Sequence, residues 1–282
     1  MRVLIEPFHS RYMQRALIEL ILICIAAGVI GTHVVLRRMA FVTEAVTHTV
    51  FPGIAGATAT STSPAAAGLG TGLLSAICIS LLGRARKVRH DDAVSIVLTT
   101  FFAIGIIIVS RRHSFASDLT HLFFGRLLAV NSALMLQTAI MVAVLVVGTA
   151  ALQRPLVLRA FDETAAQAMG YRVNVLDAAL NVMIVIAVVS ALRAVGTLVA
   201  LSMIIAPPAT ARLCKASIRF MMMVGTLIGV SAAWIGLGLS YELSVHHGTN
   251  VGSSAMIAAT TTSLFVVTRI VTSLGRTFGG SR

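Results

Sequence analysis

The stretch FVTEAVTHTVFPG, residues 41 to 53, places a carboxylate and an imidazole inside a long run of apolar residues. On a helix, Glu44 and His48 lie about one turn apart on the same face, with Cβ atoms about 5–6 Å apart. Pro52 and Gly53 follow one turn later, where they are expected to loosen or end the helix. Because an ionisable side chain within a bilayer costs roughly 2.5–3.5 kcal/mol, a pair of them points to a specific role.

The whole chain has the composition of a membrane protein. Of its 282 residues, 57% are hydrophobic and 11% are charged, and the mean hydropathy is +0.93. Soluble domains contain about 25% charged residues. The apolar runs are continuous and do not alternate, which argues against a β-barrel. We therefore predict an all-α, polytopic helical protein of the cell membrane, in contact with lipid and forming a single transmembrane domain over residues 1–282.

Eight or nine apolar runs are long enough to cross a bilayer, which takes about 20 residues. The sixth and seventh runs are crowded together and predict a hairpin of short helices as one arrangement. The predicted spans are 16–36, 40–60, 64–83, 93–110, 131–152, 178–197, 198–213, 220–241 and 254–272.

The net charge of +12 comes from short basic clusters between the apolar runs. Clusters of this kind set the topology of membrane proteins, so the charge does not indicate binding to nucleic acid. With the N-terminus outside and nine spans, most of the 22 Lys and Arg residues fall on the inner side, as the positive-inside rule requires. The basic N-terminal arm is the exception to this pattern.

Three roles fit Glu44 and His48. A carboxylate oxygen and an imidazole nitrogen at this spacing can bind a divalent metal ion, with Zn²⁺ and Mn²⁺ both chemically acceptable. The two side chains can instead form a hydrogen bond that rigidifies the helix bundle, or they can relay protons. The two residues alone do not decide between these roles.

Other polar or helix-bending residues are weaker candidates. His246 and His247 follow Glu242 in a predicted outer loop, where they are candidates for a metal entrance. Histidines beside a glycine turn are more often simply solvated. Pro207 and Pro208 predict a kink in the seventh span.

Residues 152–178 form an inner loop with the pattern of a helix lying on the membrane surface. Asp162 and Glu163 are typical of a helix start, the sequence AAQAM favours a helix, and Gly170 is typical of its end. Such a segment is either a docking site for a partner or a plain amphipathic connector.

The sequence lacks the motifs of common membrane enzymes. It has no GxxxxGK[ST] phosphate loop, so it does not bind ATP in the P-loop manner. It also has no HExxH, GxSxG or CxxC motif. We therefore predict no catalytic residues and no cofactor, with ATP hydrolysis left to a separate subunit if the protein uses ATP.

Two longer motifs resemble a known family. VVLRRMAFVTEAVTHTVFPGIAGA, residues 34–57, is similar to the signature of the permeases of metal-ion ABC importers, the zinc, manganese and iron uptake class (ABC-3). That signature has a basic pair, Met-Ala-Phe, an Asp, Ser-His, and then Pro-Gly. Residues 161–213 look like the coupling segment of the family, followed by its Pro-Ala-Ala-Thr-Ala-Arg helix.

The resemblance implies a type II importer permease that works as a homodimer. Two cytoplasmic ATP-binding subunits would dock on a coupling segment near 153–177, and an extracytoplasmic metal-binding protein would dock outside. His48 matches the histidine of the family, while Glu44 stands where an aspartate is usual and Thr47 where a serine is usual. The matching coupling residues are Asp162, Glu163, Ala166 and Gly170.

The sequence as a whole predicts a permease subunit that moves Mn²⁺, Zn²⁺ or Fe²⁺ as its substrate. One alternative is a proton- or ion-coupled secondary metal transporter, although the inverted repeat expected of that class is not visible. A permease for a metal chelate or a vitamin is another alternative. A membrane enzyme would need further ligands, and the remaining carboxylate within a span, Glu19, is expected near the membrane interface.

Overall fold

A computed structural model describes residues 6–60, 62–83, 89–110, 124–214, 217–246 and 252–279, and this part of the chain is helical without strands. Short 3₁₀ turns occupy Glu6–His9 and Leu127–Ala129. The α-helices are α1 (Arg11–Leu36), α2 (Ala40–Thr49), α3 (Phe51–Thr60), α4 (Pro64–Leu82), α5 (His90–Ser110), α6 (Ser132–Phe161), α7 (Glu163–Ala168), α8 (Val173–Leu213), α9 (Ile218–His246) and α10 (Ser253–Gly279).

Helices α1 and α8 form the centre of the bundle. Ala16, Leu20 and Ile30 of α1 are fully buried. Gly28 and Gly31 let neighbouring helices approach α1 closely, because a Cβ atom at either position would collide with α9 or with the backbone of α8. Close contacts at small residues are the usual way in which membrane helices pack.

The outer helices expose large apolar side chains. Ile77 of α4, Ile107 of α5, Val147 of α6 and Val271 of α10 are each more than half exposed. A continuous surface of this kind is unfavourable in water but is well solvated by lipid chains. The prediction of a multi-pass membrane protein is therefore confirmed.

Helix α8 folds back on itself at Gly196. A straight helix of its 41 residues would be about 60 Å long. Near its start, however, the Asp177 carboxylate lies 2.6 Å from the Arg37 guanidinium. Near its end, Arg212 donates to the backbone carbonyl of Val35 at 3.1 Å. Both ends of α8 therefore reach the same end of α1, and the reversal occurs at Gly196, with φ 79° and ψ 176°.

This reversal confirms the predicted hairpin of the sixth and seventh spans. In the described part of the chain, seven helices are long and apolar enough to cross a membrane. Helix α8 is one of these seven but crosses twice, because its two arms run in opposite directions. Helices α2 and α3 together cover the predicted second span, 40–60, and add one more crossing. The bundle thus has the predicted eight or nine crossings.

The second span is interrupted at Val50, between α2 and α3. Pro52 and Gly53, which were predicted to loosen or end the helix, lie in the first turn of α3, directly after this interruption. A proline is well tolerated in the first turn of a helix, where its missing N–H group has little effect on that helix. Gly53 serves close packing, because a Cβ atom there would collide with the Ala67 carbonyl of α4.

Two expectations are corrected. Glu19 does not lie at an exposed interface: it is 0% exposed, and its carboxylate accepts a hydrogen bond from Thr138 at 2.6 Å. The helix of the fifth span does not end near residue 152. Helix α6 continues through Pro155 to Phe161, so it runs directly into the predicted coupling segment.

Candidate metal path and coupling segment

Helix α2 places Glu44 and His48 on one face, and both side chains are half-buried. Their neighbours Thr43 and Thr47 are buried and turn their hydroxyl groups back onto the helix. Thr43 donates to the Met39 carbonyl at 3.0 Å, and Thr47 donates to the Glu44 carbonyl at 2.7 Å. These hydroxyl groups are therefore satisfied locally, whereas the carboxylate and the imidazole are the polar groups available to a ligand.

The His48 ring is held by an aromatic contact. Phe102 of α5 packs edge-to-face against it, with 5.3 Å between ring centroids. Phe102 also contacts Phe51, with 6.0 Å between centroids. His48 Nδ1 is buried and has no hydrogen-bond partner in the described structure.

The Glu44 carboxylate is close enough to interact electrostatically with His48. Within the described residues, no hydrogen bond or ion pair joins the Glu44 and His48 side chains. The structural hydrogen bond that the sequence left open as one role is therefore not formed. A buried nitrogen without a partner is costly, and such a group needs an explanation such as a ligand.

Pro52 removes one regular backbone hydrogen bond beside His48. In a regular helix the amide of residue 52 would donate to the His48 carbonyl, and proline has no amide hydrogen. Helix α4 stabilises this interruption from the side. Thr71 donates to the Val50 carbonyl at 3.3 Å, and the hydroxyl groups of Thr49 and Ser75 lie 2.7 Å apart.

The remaining sequence candidates lie elsewhere. Pro207 and Pro208 are buried in the second arm of α8, which stays helical through them to Leu213, and Pro208 lies beside Gly225 of α9. The reversal of α8 is at Gly196, and the kink predicted at Pro207 and Pro208 stays a prediction. His246 is the last residue of α9, with its side chain outside the description, and His247 lies outside the described residues.

The coupling segment contains a short helix, α7, with well-defined ends. The Asp162 side chain accepts from the Ala165 amide at 2.9 Å and caps the start of the helix. Glu163 pairs with Arg159 of α6 at 3.0 Å. Ala166 is 0% exposed and anchors the helix to the rest of the protein. Gly170 follows the helix with φ +82°.

An exposed apolar surface surrounds α7. Phe161 is 71% exposed, Met169 is 67% exposed and Tyr171 is 38% exposed. These side chains did not stand out in the sequence, because the segment is short and its helical pattern covers few turns. Large exposed apolar groups in a membrane protein contact either lipid chains or a docked partner.

The family of the chain is decided by a comparison with family models. Residues 9–272 match the model described as the ABC 3 transport family. This chain belongs to the ABC 3 transport family. The resemblance seen in the sequence is thereby confirmed.

Members of the ABC 3 transport family that resemble this chain include two manganese permeases. The manganese import system permease protein ScaB of Streptococcus parasanguinis is 35% identical, over 86% of this chain and 86% of the relative. The manganese transport system membrane protein MntC of Listeria innocua is 33% identical, over 90% of this chain and 89% of the relative.

Solved structures support the same fold. PsaBC from Streptococcus pneumoniae, in complex with Fab, matches with a TM-score of 0.82 and 31% identity, covering 92% of this chain and 91% of that chain. An inward-facing putative metal-chelate type ABC transporter matches with a TM-score of 0.70 and 18% identity, covering 90% and 84%. The second likeness concerns the fold alone. The predicted all-α permease fold is confirmed.

Proposed function

We propose that this chain is the transmembrane permease subunit of an ATP-driven importer of divalent metal ions, and that Glu44 and His48 form its transient metal site. The observation that carries the proposal is the buried, unpartnered Nδ1 of His48 beside the Glu44 carboxylate on one face of α2. An imidazole nitrogen and a carboxylate oxygen are both common ligands of first-row metals.

Each chain supplies only part of the coordination shell. In the described residues, no group of three or more His, Cys, Asp or Glu side chains lies together. A closed site for zinc normally has four protein ligands, whereas a transported ion must also be released. Two ligands from each of two permease copies therefore make a site that binds weakly enough to pass the ion on.

The transport cycle requires partner proteins. An extracytoplasmic metal-binding protein delivers the ion above the permease dimer, and the ion then passes Glu44 and His48 of both copies. Two cytoplasmic ATP-binding subunits dock around α7 and supply the energy, since this sequence has no P-loop. Phe161, Met169 and Tyr171 offer the apolar contact for this docking.

Manganese is the metal we infer for this chain. The two permeases described above carry manganese in their names. A carboxylate is a harder ligand than a thiolate and suits Mn²⁺ well, and no cysteine lies on α2. The sequence of α2 is thus consistent with Mn²⁺, with Zn²⁺ and Fe²⁺ as the competing ions to test.

The test is metal accumulation in cells that express the complete importer. His48→Ala and Glu44→Ala are expected to reduce Mn²⁺ uptake by about tenfold or more, because each removes a ligand. His9→Ala, which removes an exposed imidazole outside α2, is the matched control and should transport normally. Unchanged accumulation of every divalent metal in both α2 variants, at normal protein levels, would exclude this path.

A further inference from the structure

Asp177, in the first arm of α8, holds two arginines from different helices. Its Oδ1 atom lies 2.6 Å from Arg37 Nη2, at the end of α1. Its Oδ2 atom lies 3.1 Å from Arg159 Nη2, in the last turn of α6. One carboxylate therefore joins the ends of α1 and α6 to the start of α8.

The ion pairs continue into the coupling segment. Arg159 uses its other terminal nitrogen, Nη1, to contact Glu163 of α7 at 3.0 Å. We call Arg37, Asp177, Arg159 and Glu163 the ion chain. It connects the predicted docking helix α7 to the end of α1 through side chains alone.

The inner members of the ion chain are largely removed from water. The side chains of Arg37, Arg159 and Asp177 are 11%, 17% and 33% exposed. Two further nitrogens of these arginines, Arg37 Nη1 and Arg159 Nε, are buried and have no hydrogen-bond partner in the described structure. Breaking one buried pair leaves an uncompensated charge, so the members are expected to move together and not to separate.

A short rigid turn links Arg37 to the metal path. Arg38 has φ +56°, the left-handed conformation that closes a Schellman motif. In this motif the Met39 amide donates to the Val34 carbonyl at 2.9 Å. Helix α2 begins at the next residue, Ala40, and Glu44 follows about one turn later. A displacement of Arg37 is therefore passed directly to α2.

We propose that Asp177 is a positioning residue that transmits movement of α7 to the helix carrying Glu44 and His48. When the docked ATP-binding subunits shift α7, Glu163 and Arg159 shift with it, and Asp177 carries the displacement to Arg37. This inference rests on the proposed function, since it assumes that α7 is where the ATP-binding subunits act. The inference adds a physical connection between α7 and the helix that carries Glu44 and His48.

The test uses the complete importer in proteoliposomes, with Mn²⁺ as the transported probe. The quantity measured is Mn²⁺ imported per ATP hydrolysed, alongside the amount of ATP-binding subunit that remains attached. Asp177→Asn is expected to lower this ratio by about tenfold while the subunits stay attached. Asp177→Glu keeps the charge and is expected to restore most of the ratio.

Arg212→Gln is the matched control. Arg212 is exposed and donates to Val35 at the same end of α1, but it is not part of the ion chain. If Asp177→Asn fails to reach the membrane, the double variant Arg37→Gln with Asp177→Asn removes the uncompensated charge and is expected to show the same fall. An unchanged ratio in Asp177→Asn or in the double variant, or an equal fall in Arg212→Gln, would overturn the inference.

A second measurement separates this inference from the proposed function. Hydrogen exchange of residues 37–49 in the full-length permease requires no transport. Asp177→Asn is expected to increase exchange across this segment, and Arg212→Gln is not. Absence of metal uptake by the wild-type importer would contradict the proposed function, whereas unchanged exchange in Asp177→Asn would contradict the mechanical link itself.

Discussion

The ring of Phe102 meets the imidazole of His48 at 77° between planes, so the edge of one ring faces the other. The contact joins α5 to α2 and restricts rotation of the imidazole about its side-chain bonds. Phe102 is in turn backed by Phe51, the first residue of α3. The orientation of the His48 nitrogens therefore depends on an aromatic cluster that includes the interruption between α2 and α3.

Replacing Phe102 tests this orientation. Phe102→Leu keeps an apolar side chain but removes the aromatic edge, and we expect Mn²⁺ uptake to fall by about two- to tenfold. Phe101→Leu is the control, because Phe101 packs in a separate cluster around Val42 and Val94. Uptake assays at equal membrane protein levels make the comparison. An equal effect of both substitutions would indicate a general loss of packing.

Glu44 stands where the sequence resemblance implies an aspartate. Glu44→Gln keeps the size but removes the charge, and uptake is expected to fall by about tenfold or more. Glu44→Asp withdraws the carboxylate by one methylene group while keeping its charge. We expect this variant to transport, with an altered preference between Mn²⁺ and Zn²⁺ in competition assays. Full uptake by Glu44→Gln would exclude the carboxylate as a ligand.

The sequence predicted the fold class and most spans because these depend on local hydrophobicity. It also made Glu44 and His48 the candidate metal ligands, since two ionisable residues stand out in an apolar run, and that assignment stays a prediction. The sequence predicted the hairpin in α8 as only one possible arrangement of the sixth and seventh spans. A glycine between two apolar segments does not show which way the chain turns. The direction in which the chain turns at Gly196 depends on contacts between α8 and α1, whose partners are distant in sequence.

The ion chain could not be predicted for the same reason. Arg37 and Asp177 are separated by 140 positions, and each alone is an ordinary charge near a membrane surface. Glu19 was wrongly expected at the interface because its position near the start of a span allows either placement. Glu19 is buried where Thr138 of α6 packs against it and donates a hydrogen bond. The sequence of α1 alone does not predict this contact.

Substitutions at Gly170 test the role of the turn that ends α7. Its φ of +82° is unavailable to proline, and its amide donates to the Gln167 carbonyl at 2.9 Å. Gly170→Pro is therefore expected to abolish stimulation of the ATP-binding subunits. Gly170→Asn is the control, since asparagine tolerates this conformation and a Cβ atom there has no neighbour within 4 Å. Stimulation retained by the proline variant would count against docking at α7.

Gly196 tests the reversal of α8. Its backbone lies in a region that is essentially restricted to glycine, so Gly196→Ala is expected to destabilise the protein by about 1–3 kcal/mol. Gly70→Ala, in the middle of α4, is the matched control, because a Cβ atom there meets no atom within 4 Å and its backbone is helical. Thermal unfolding of the purified protein in detergent should show a lower Tm for the Gly196 variant and an unchanged or higher Tm for the control. Equal Tm values would show that the positive φ at Gly196 is not required for stability. The turn of α8 would then have to lie at other residues.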